Sequence, residues 1–353
     1  MRCIAPLFVS CVIASAAHAV GPLDFWFGLH EYVVDTWLTK LKPGNSVPWR
    51  TNSGEVLMHE WRGEHVSLLT ERNDYDPTLV QTLLNAADAY WVRCREICGN
   101  SPPPDPDRGF ATGGRPMLVE LVRPRVDQPA PGELGDQFDE SSTKAIGIVG
   151  VARTSVTTDE LESLLRAIAR GNSVAPLGMS LPTAIGRNFF FFDSELGSIA
   201  PTGDIASAYA SLLAGHASEL LGWFPPNDDR PLDANLDRYE RDPKAVFDVV
   251  LGAATPPPEF DVASLWTALL VRVSYASGRH DFVERLWRAT SECPTSATQE
   301  DAVTNLVVAA SGASGSDLTQ RFISWRFPVT DEAKSRVREA LAAQRKNTAK
   351  LKR

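Results

Sequence analysis

Apolar residues recur along this chain with two different periods, and the change from one to the other divides it. Phe25, Leu29, Val33 and Trp37 fall at helical spacing, which predicts a helix ended by the Pro/Gly break "KPGNSVPW". "HVSLLTE" (65–71) is a short apolar run of strand type. Asp76-Pro77 then opens a predicted helix running to Ile97, with Leu79, Leu83, Leu84, Ala87, Tyr90, Trp91 and Cys94 as its apolar stripe. Further strands are predicted at 117–123 and 145–152. Between the elements lie two breakers, "SPPPDPDRGFATGGRP" (101–116) and the acidic "DQPAPGELGDQFDESS" (127–142).

Beyond about residue 157 the pattern is helical throughout. "TTDELESLLRAIARG" has a capping threonine, an acidic first turn and a glycine stop. Helices are expected to continue at 182–192, 203–222, 261–276, 279–290, 298–310, 316–325 and 330–346. The fold class read from this order is α+β. A part spanning 20–156 carries a small mixed sheet, a helical part spans 157–346, and 347–353 is a basic tail read as a solvated helix end.

Composition changes this picture in three places. Residues 1–19 have Arg2, a short apolar run and a small-x-small "AHA" at 17–19, the form of a signal peptide, so the mature chain is expected to be secreted or periplasmic. After that segment no apolar run is long enough to span a bilayer. A net charge of -9 lacks the basic footprint that nucleic acid requires. Removal of the leader leaves Cys94, Cys98 and Cys293, enough for at most one disulfide. Cys94 and Cys98 stand four apart on a helix, where a bond between them is strained, and pairing of either with Cys293 is equally open.

Candidate chemistry is sparse. The mature chain has five histidines: His30, His59, His65, His216 and His280. "HEWRGEH" (59–65) holds two His-Glu pairs, but a zinc protease needs histidines four apart on a helix, and here they are six apart in a strand-like segment. On a strand His59 and His65 lie about 20 Å apart. The expectation is therefore ordinary polar residues of an edge strand or hairpin. "GHASELLG" sets His216 and Glu219 three apart on a helix, close enough to share a hydrogen bond or a ligand, though such pairs are common on helix surfaces. Neither a G-x-S-x-G elbow nor a phosphate-binding glycine loop occurs, and no cofactor is expected.

Three segments in order, "TAIGRNFFFFDSEL", "GDIASAYASLLAG" and "DAVTNLVVAASGASGSDLTQRFISWRFPVT", resemble secreted gluzincin metallopeptidases of the enhancin-like type. The resemblance covers about half the chain. It implies a metallopeptidase-like fold, with an active helix of the form His-Glu-x-Gly-His-Asn over Thr183 to Phe192 and an acidic zinc ligand near Asp204. The terminal signature corresponds to Asp317-Leu318-Thr319, Phe322, Trp325 and Pro328-Val329. Yet Thr183, Ala184 and Arg187 stand where the family has its first histidine, its glutamate and its second histidine. Only Gly186 and Asn188 are retained. Arginine stays cationic and repels zinc, and without the glutamate nothing deprotonates a metal-bound water.

The resemblance thus implies a degenerate member with no catalytic and no metal residues. Arg187 is expected either to form a charge-assisted pair with Asp204 or to hold a ligand carboxylate or sulfate in its planar fork. The phenylalanines are expected to belong to a helix buried nearly all round. The function read from this is an exported pseudoenzyme that binds an unidentified ligand, or an extracytoplasmic protein or glycan partner. Arg187, Asn188, Asp204, His216 and Glu219 are its candidate binding residues. The competing readings are an active exported hydrolase drawing on His59, Glu60, His65, Asp204, His216 and Glu219, and an envelope structural or interaction protein.

Overall fold

The computed structural model describes residues 46–51, 54–105, 112–121, 146–171, 175–178, 180–200, 204–223, 230–278 and 280–351. The leader at 1–19, the helix expected over 25–37, the acidic segment 127–142 and the last two residues of the tail lie outside them. One mixed sheet has the order β1-β2-β3-β4-β6-β5. Its strands are β1 (Ser46–Thr51), β2 (Gly54–Arg62), β3 (Ser67–Thr70), β4 (Met117–Leu121), β5 (Ile146–Gly147) and β6 (Arg153–Thr157). β1, β2 and β3 form an antiparallel meander; β3, β4 and β6 run parallel, and β5 returns antiparallel on β6.

The parallel strands β3 and β4 are buried on both faces, so their sequences show apolar runs in place of alternation. Every residue of β3 is buried. Leu68, Leu118 and Val156 face the helices, while Leu69, Met117 and Val119 join Met58 in a separate small cluster. Two expectations are decided here. "HEWRGEH" is a hairpin, the second of its two expected forms, and not a sheet edge, because β2 sits between β1 and β3 and turns directly into β3. The apolar run 145–152 is mostly a turn, and the adjoining strand is instead the polar "RTSVT" of β6.

The crossover from β3 to β4 is α1 (Pro77–Cys98), capped at its start by the Asp76 side chain and stopped by Gly99 in a left-handed conformation. Six of the seven expected stripe residues are buried; Val80 is buried in place of the partly exposed Leu79, Ala86 and Ile97 join them, and one polar residue, Asp88, is buried among them. The Asp88 carboxylate accepts the backbone N–H groups of Glu64, His65 and Val66 at 2.7, 2.8 and 2.6 Å, so it closes the turn between β2 and β3. A Cβ on Gly63 would stand 2.5 Å from that carboxylate, so the turn needs glycine there. Asp88→Ala is expected to cost about 1–3 kcal/mol for the buried Val66 N–H alone. The measurement is the midpoint of chemical denaturation, which an unimportant contact would leave unmoved.

The helical part follows as α2 (Thr158–Ala169), α3 (Ser180–Arg187), α4 (Asp193–Leu196), α5 (Asp204–Leu220), α6 (Arg230–Arg241), α7 (Val262–Ala276), α8 (His280–Ser291), α9 (Gln299–Ser314), α10 (Thr319–Ser324) and α11 (Asp331–Leu351). One contiguous core runs from Val66 to Leu341 across sheet and helices. The terminal signature builds a corner of that core. Phe322 packs edge-on against Trp325 and Phe327, and Phe327 reaches Phe247 and Trp266. Arg326, at φ 63°, is held in its left-handed turn by donating to the backbone carbonyls of Tyr239, Ala245 and Glu240. Cys94, Cys98 and Cys293 are free thiols. Burial pushes the Cys293 thiol up to about 11, which keeps it protonated and unreactive at neutral pH. Among the described residues no helix is long and apolar enough to cross a membrane.

Candidate functional site

α3 is short because its sequence permits no more. Pro182 sits in the first turn, where its missing N–H costs nothing, and the chain leaves the helix at Arg187. Leu181, Pro182, Ala184, Ile185 and Gly186 are buried. Ser180, Thr183 and Arg187 are half-exposed, and the last two stand four apart and therefore on one face. α3 is clamped from two sides by glycine contacts. A Cβ on Gly186 would fall 2.9 Å from the Ala210 carbonyl oxygen of α5, and one on Gly147 would fall 1.6 Å from the Ala184 carbonyl oxygen. Edge strand β5 and helix α5 thus approach α3 backbone to backbone, and its Thr183–Arg187 face is half-exposed.

The four phenylalanines are not helical, contrary to the expectation of a helix through 192. They form the connection from α3 to α4, and there Phe189, Phe190 and Phe192 are buried while Phe191 is only partly so. The chain leaves α3 through turns in which Phe189 and Phe190 donate to the Gly186 and Arg187 carbonyls, and the successive rings point in different directions, so the run reaches several helices at once. Phe189 meets Trp91 of α1 at 4.7 Å, Phe190 and Phe192 meet Tyr209 of α5 at 5.5 and 5.6 Å, and Phe192 meets Trp287 of α8 at 6.1 Å.

Arg187 lies beside this hub. Burial pushes its guanidinium down from the ordinary value, and the charge of Asp204, the first residue of α5, acts in the opposite direction. Its Nε is buried and has no hydrogen-bond partner among the described residues. Asp204 thus acts on Arg187 by its charge. Asn188 is buried, its Nδ2 donating to Thr154 Oγ1 of β6 at 2.8 Å. That bond ties the end of α3 to the sheet and takes the amide away from the half-exposed face.

His216 and Glu219 are elsewhere. Twelve residues of α5 separate His216 from Asp204, about 18 Å at the helical rise. With Ser211, Ser274, Tyr275 and Val283 they line a second cleft of about 40 Å³, between α5, α7 and α8. The binding residues expected from the sequence therefore divide into two places, Arg187–Asn188–Asp204 and His216–Glu219. The His-Glu cluster of β2 is remote from both groups. β2 stands four strand spacings from β5, about 19 Å across the sheet. There Glu60 is ion-paired with Arg62 at 2.9 Å and accepts the Ser67 hydroxyl, and the His65 imidazole stands 3.9 Å from the Glu64 carboxylate. Among the described residues no three His, Cys, Asp or Glu side chains are grouped to hold a metal ion.

Other polar residues of the fold carry weaker sequence signals. Glu120 is a buried carboxylate in the apolar strand "MLVEL", accepting the Tyr75 hydroxyl at 2.6 Å and the Glu71 N–H at 3.1 Å. A single carboxylate in such a run is a readable anomaly. Gly147 gives no such sign, since nothing in "AIGIVG" says which glycine meets a helix.

No protein-family model and no curated protein matches the chain. Solved structures do. A functionally unknown conserved protein from Bacillus anthracis str. Ames, determined as a mutant, superposes with a TM-score of 0.51 at 14% identity, over 80% of this chain and 51% of that one. The catalytic module of the metalloprotease ZmpA from Clostridium perfringens gives 0.45 at 13% identity, over 91% and 52% of the two chains. The ZmpB metallopeptidase from the same organism gives 0.47 at 12%, over 88% and 52%. The chain spans about half the length of each of these structures. The overall fold is one it shares with the Bacillus anthracis protein.

Proposed function

We propose that this is an exported, non-catalytic metallopeptidase-like protein that binds a ligand or partner on the half-exposed face of α3. One observation carries the reading: the residues at the chemically decisive positions of that helix are Thr183, Ala184 and Arg187, of which the first and last are half-exposed and the second buried. A threonine hydroxyl is a poor zinc ligand, an arginine excludes the ion, and alanine offers no base. Binding is what such a face can still do. The test is metal analysis of the purified protein together with a peptidase assay on a denatured protein substrate. Neither stoichiometric zinc nor hydrolysis is expected; zinc in a ratio of one to one, with hydrolysis abolished by a chelator, would overturn the reading. Export is checked by N-terminal sequencing of the mature chain, expected to begin at Val20.

The second cleft favours one further reading, a hydrolase whose site lies on α5 in place of α3. His216 and Glu219 share that cleft with the Tyr275 phenol and two serine hydroxyls. It would displace the first reading if the wild type hydrolysed an ester or peptide and His216→Ala abolished that activity while Arg187→Lys left it intact.

A further inference from the structure

We infer that the cleft between α5, α7 and α8 binds a vicinal pair of hydroxyl groups, as carried by a small polyol or by the edge of a sugar ring. The inference goes beyond the reading of α3, concerns a different place in the fold, and requires no turnover in the cleft. The cleft follows from the pattern on α5. Ser211, Gly215 and Glu219 stand at successive four-residue steps, so they form one row along the helix, and all three are half-exposed. Leu212 and His216 form the adjoining row and are buried. Gly215 puts no side chain between Ser211 and Glu219. A glycine inside a helix is costly relative to alanine, and here it leaves the gap. Across that gap stand Ser274 and Tyr275 of α7 and Val283 of α8. Ser274 and Val283 are buried, whereas Tyr275 is 44% exposed and so stands at the mouth.

Size and hydrogen bonding both select the ligand. The space is about 40 Å³ and a water needs about 10–15 Å³, so there is room for about three water-sized groups, the size of a hydroxyl. The lining asks for groups that both donate and accept. Glu219 only accepts, and its two oxygens take several donors at once, so they serve a ligand alongside any neighbouring contact. The Ser211 and Ser274 hydroxyls and the His216 imidazole can donate as well as accept. A ligand ammonium only donates and a ligand carboxylate only accepts. A hydroxyl answers both kinds of partner, and it reproduces the hydrogen bonds of the water it displaces. Two hydroxyls on adjacent carbons are spaced to donate to the two oxygens of one carboxylate. The C–H face of such a ligand is apolar, and the apolar surface it needs is supplied by Leu212, Val283 and the Tyr275 ring.

The experiment uses the full chain labelled with 3-fluorotyrosine and followed by ¹⁹F NMR. The Tyr275 resonance is assigned by its loss in Tyr275→Phe, a change at an exposed ring that leaves the fold intact. The probes are glycerol, methyl β-D-galactopyranoside, propane-1,2-diol, propane-1,3-diol, propan-1-ol and propylamine. Glycerol, the glycoside and the 1,2-diol are expected to move the Tyr275 resonance to saturation, and the 1,3-diol, the alcohol and the amine to bind at least several-fold more weakly. Affinity should fall about tenfold or more in Glu219→Gln, the loss expected for hydrogen bonds to a charged acceptor. Gly215→Leu, which fills the gap without removing a polar group, should abolish binding, with circular dichroism checking that both variants are folded. Tighter binding of the glycoside than of glycerol would assign the hydroxyl pair to a sugar; equal binding would assign it to a small polyol. An unmoved resonance with every vicinal diol would overturn the inference. So would equal binding of the 1,2- and 1,3-diols, tighter binding of propylamine, or unchanged affinity in folded Gly215→Leu.

Discussion

The double variant Thr183→His/Arg187→His is expected to take up one zinc ion per chain where the wild type takes up none. Residues 183 and 187 occupy one face of α3, four apart, the spacing that lets two imidazoles meet a single ion. Both are half-exposed, so histidines there need not be forced into the core. Removing the guanidinium also frees the field of Asp204 to act on a cation instead of on Arg187. Two imidazoles and a carboxylate then leave a fourth position for water, an open coordination suited to zinc. Isothermal titration with zinc is the measurement, and Asp204→Ala added to the pair should weaken binding by about tenfold or more, as loss of one ligand does. Failure of the double variant to bind zinc while remaining folded would remove the correspondence between α3 and a zinc-binding helix. Hydrolysis is not expected to return. Ala184 is buried, with β5 packed on its carbonyl through Gly147, so a glutamate placed there must first find room and then be desolvated.

That experiment probes the part of the site that was legible in the chain, and its limits are instructive. The positions 183, 184 and 187 come from the resemblance to a His-Glu-x-Gly-His-Asn helix, and helical spacing then places 183 and 187 on one face. The ends of α1, α2 and α9 were equally readable, since each carries a capping side chain: Asp76, Thr157 and Thr298. What failed depends on partners distant in sequence. The "RTSVT" of β6 is too polar to announce a central strand, yet Arg153 is paired with Asp105 and Thr154 is bonded to Asn188. Those contacts satisfy the polar groups only in the folded chain. α6 was missed because half of its sequence "RPLDANLDRYER" is charged, while Leu236 and Tyr239 are buried in the core. The division of the candidate binding residues into two places also needed the fold. Asp204 and His216 look close along the sequence, but a straight helix carries them apart.

Trp287→Ala is expected to cost about 3–5 kcal/mol of folding stability, the range for deleting a buried aromatic side chain. Trp287 is among the largest fully enclosed side chains in the fold. Its ring meets Tyr209 at 5.1 Å and Phe192 at 6.1 Å, and its Nε1 donates to the Phe189 carbonyl at 3.0 Å. That bond matters because the phenylalanine run has no helix to satisfy its backbone. A carbonyl buried in an aromatic cluster finds few acceptable donors, and an indole N–H is one that arrives with apolar surface attached. Trp287→Phe separates the two contributions. It keeps most of the ring packing and leaves the Phe189 carbonyl unmet, for an expected loss of about 1–3 kcal/mol. Both losses are read from denaturant unfolding. A larger loss for alanine than for phenylalanine is the signature of a hub held by packing, with the hydrogen bond fixing its register. Equal losses would assign the whole effect to the carbonyl. A loss under about 1 kcal/mol for alanine would mean that the cluster closes over the gap, which a rigid interior does only in part. The consequence reaches the half-exposed face of α3, since Phe189 and Phe190 follow Arg187 and Asn188 directly. A variant that loosens the rings should therefore also broaden the NMR resonance of the Arg187 Nε–H, well before the molecule unfolds.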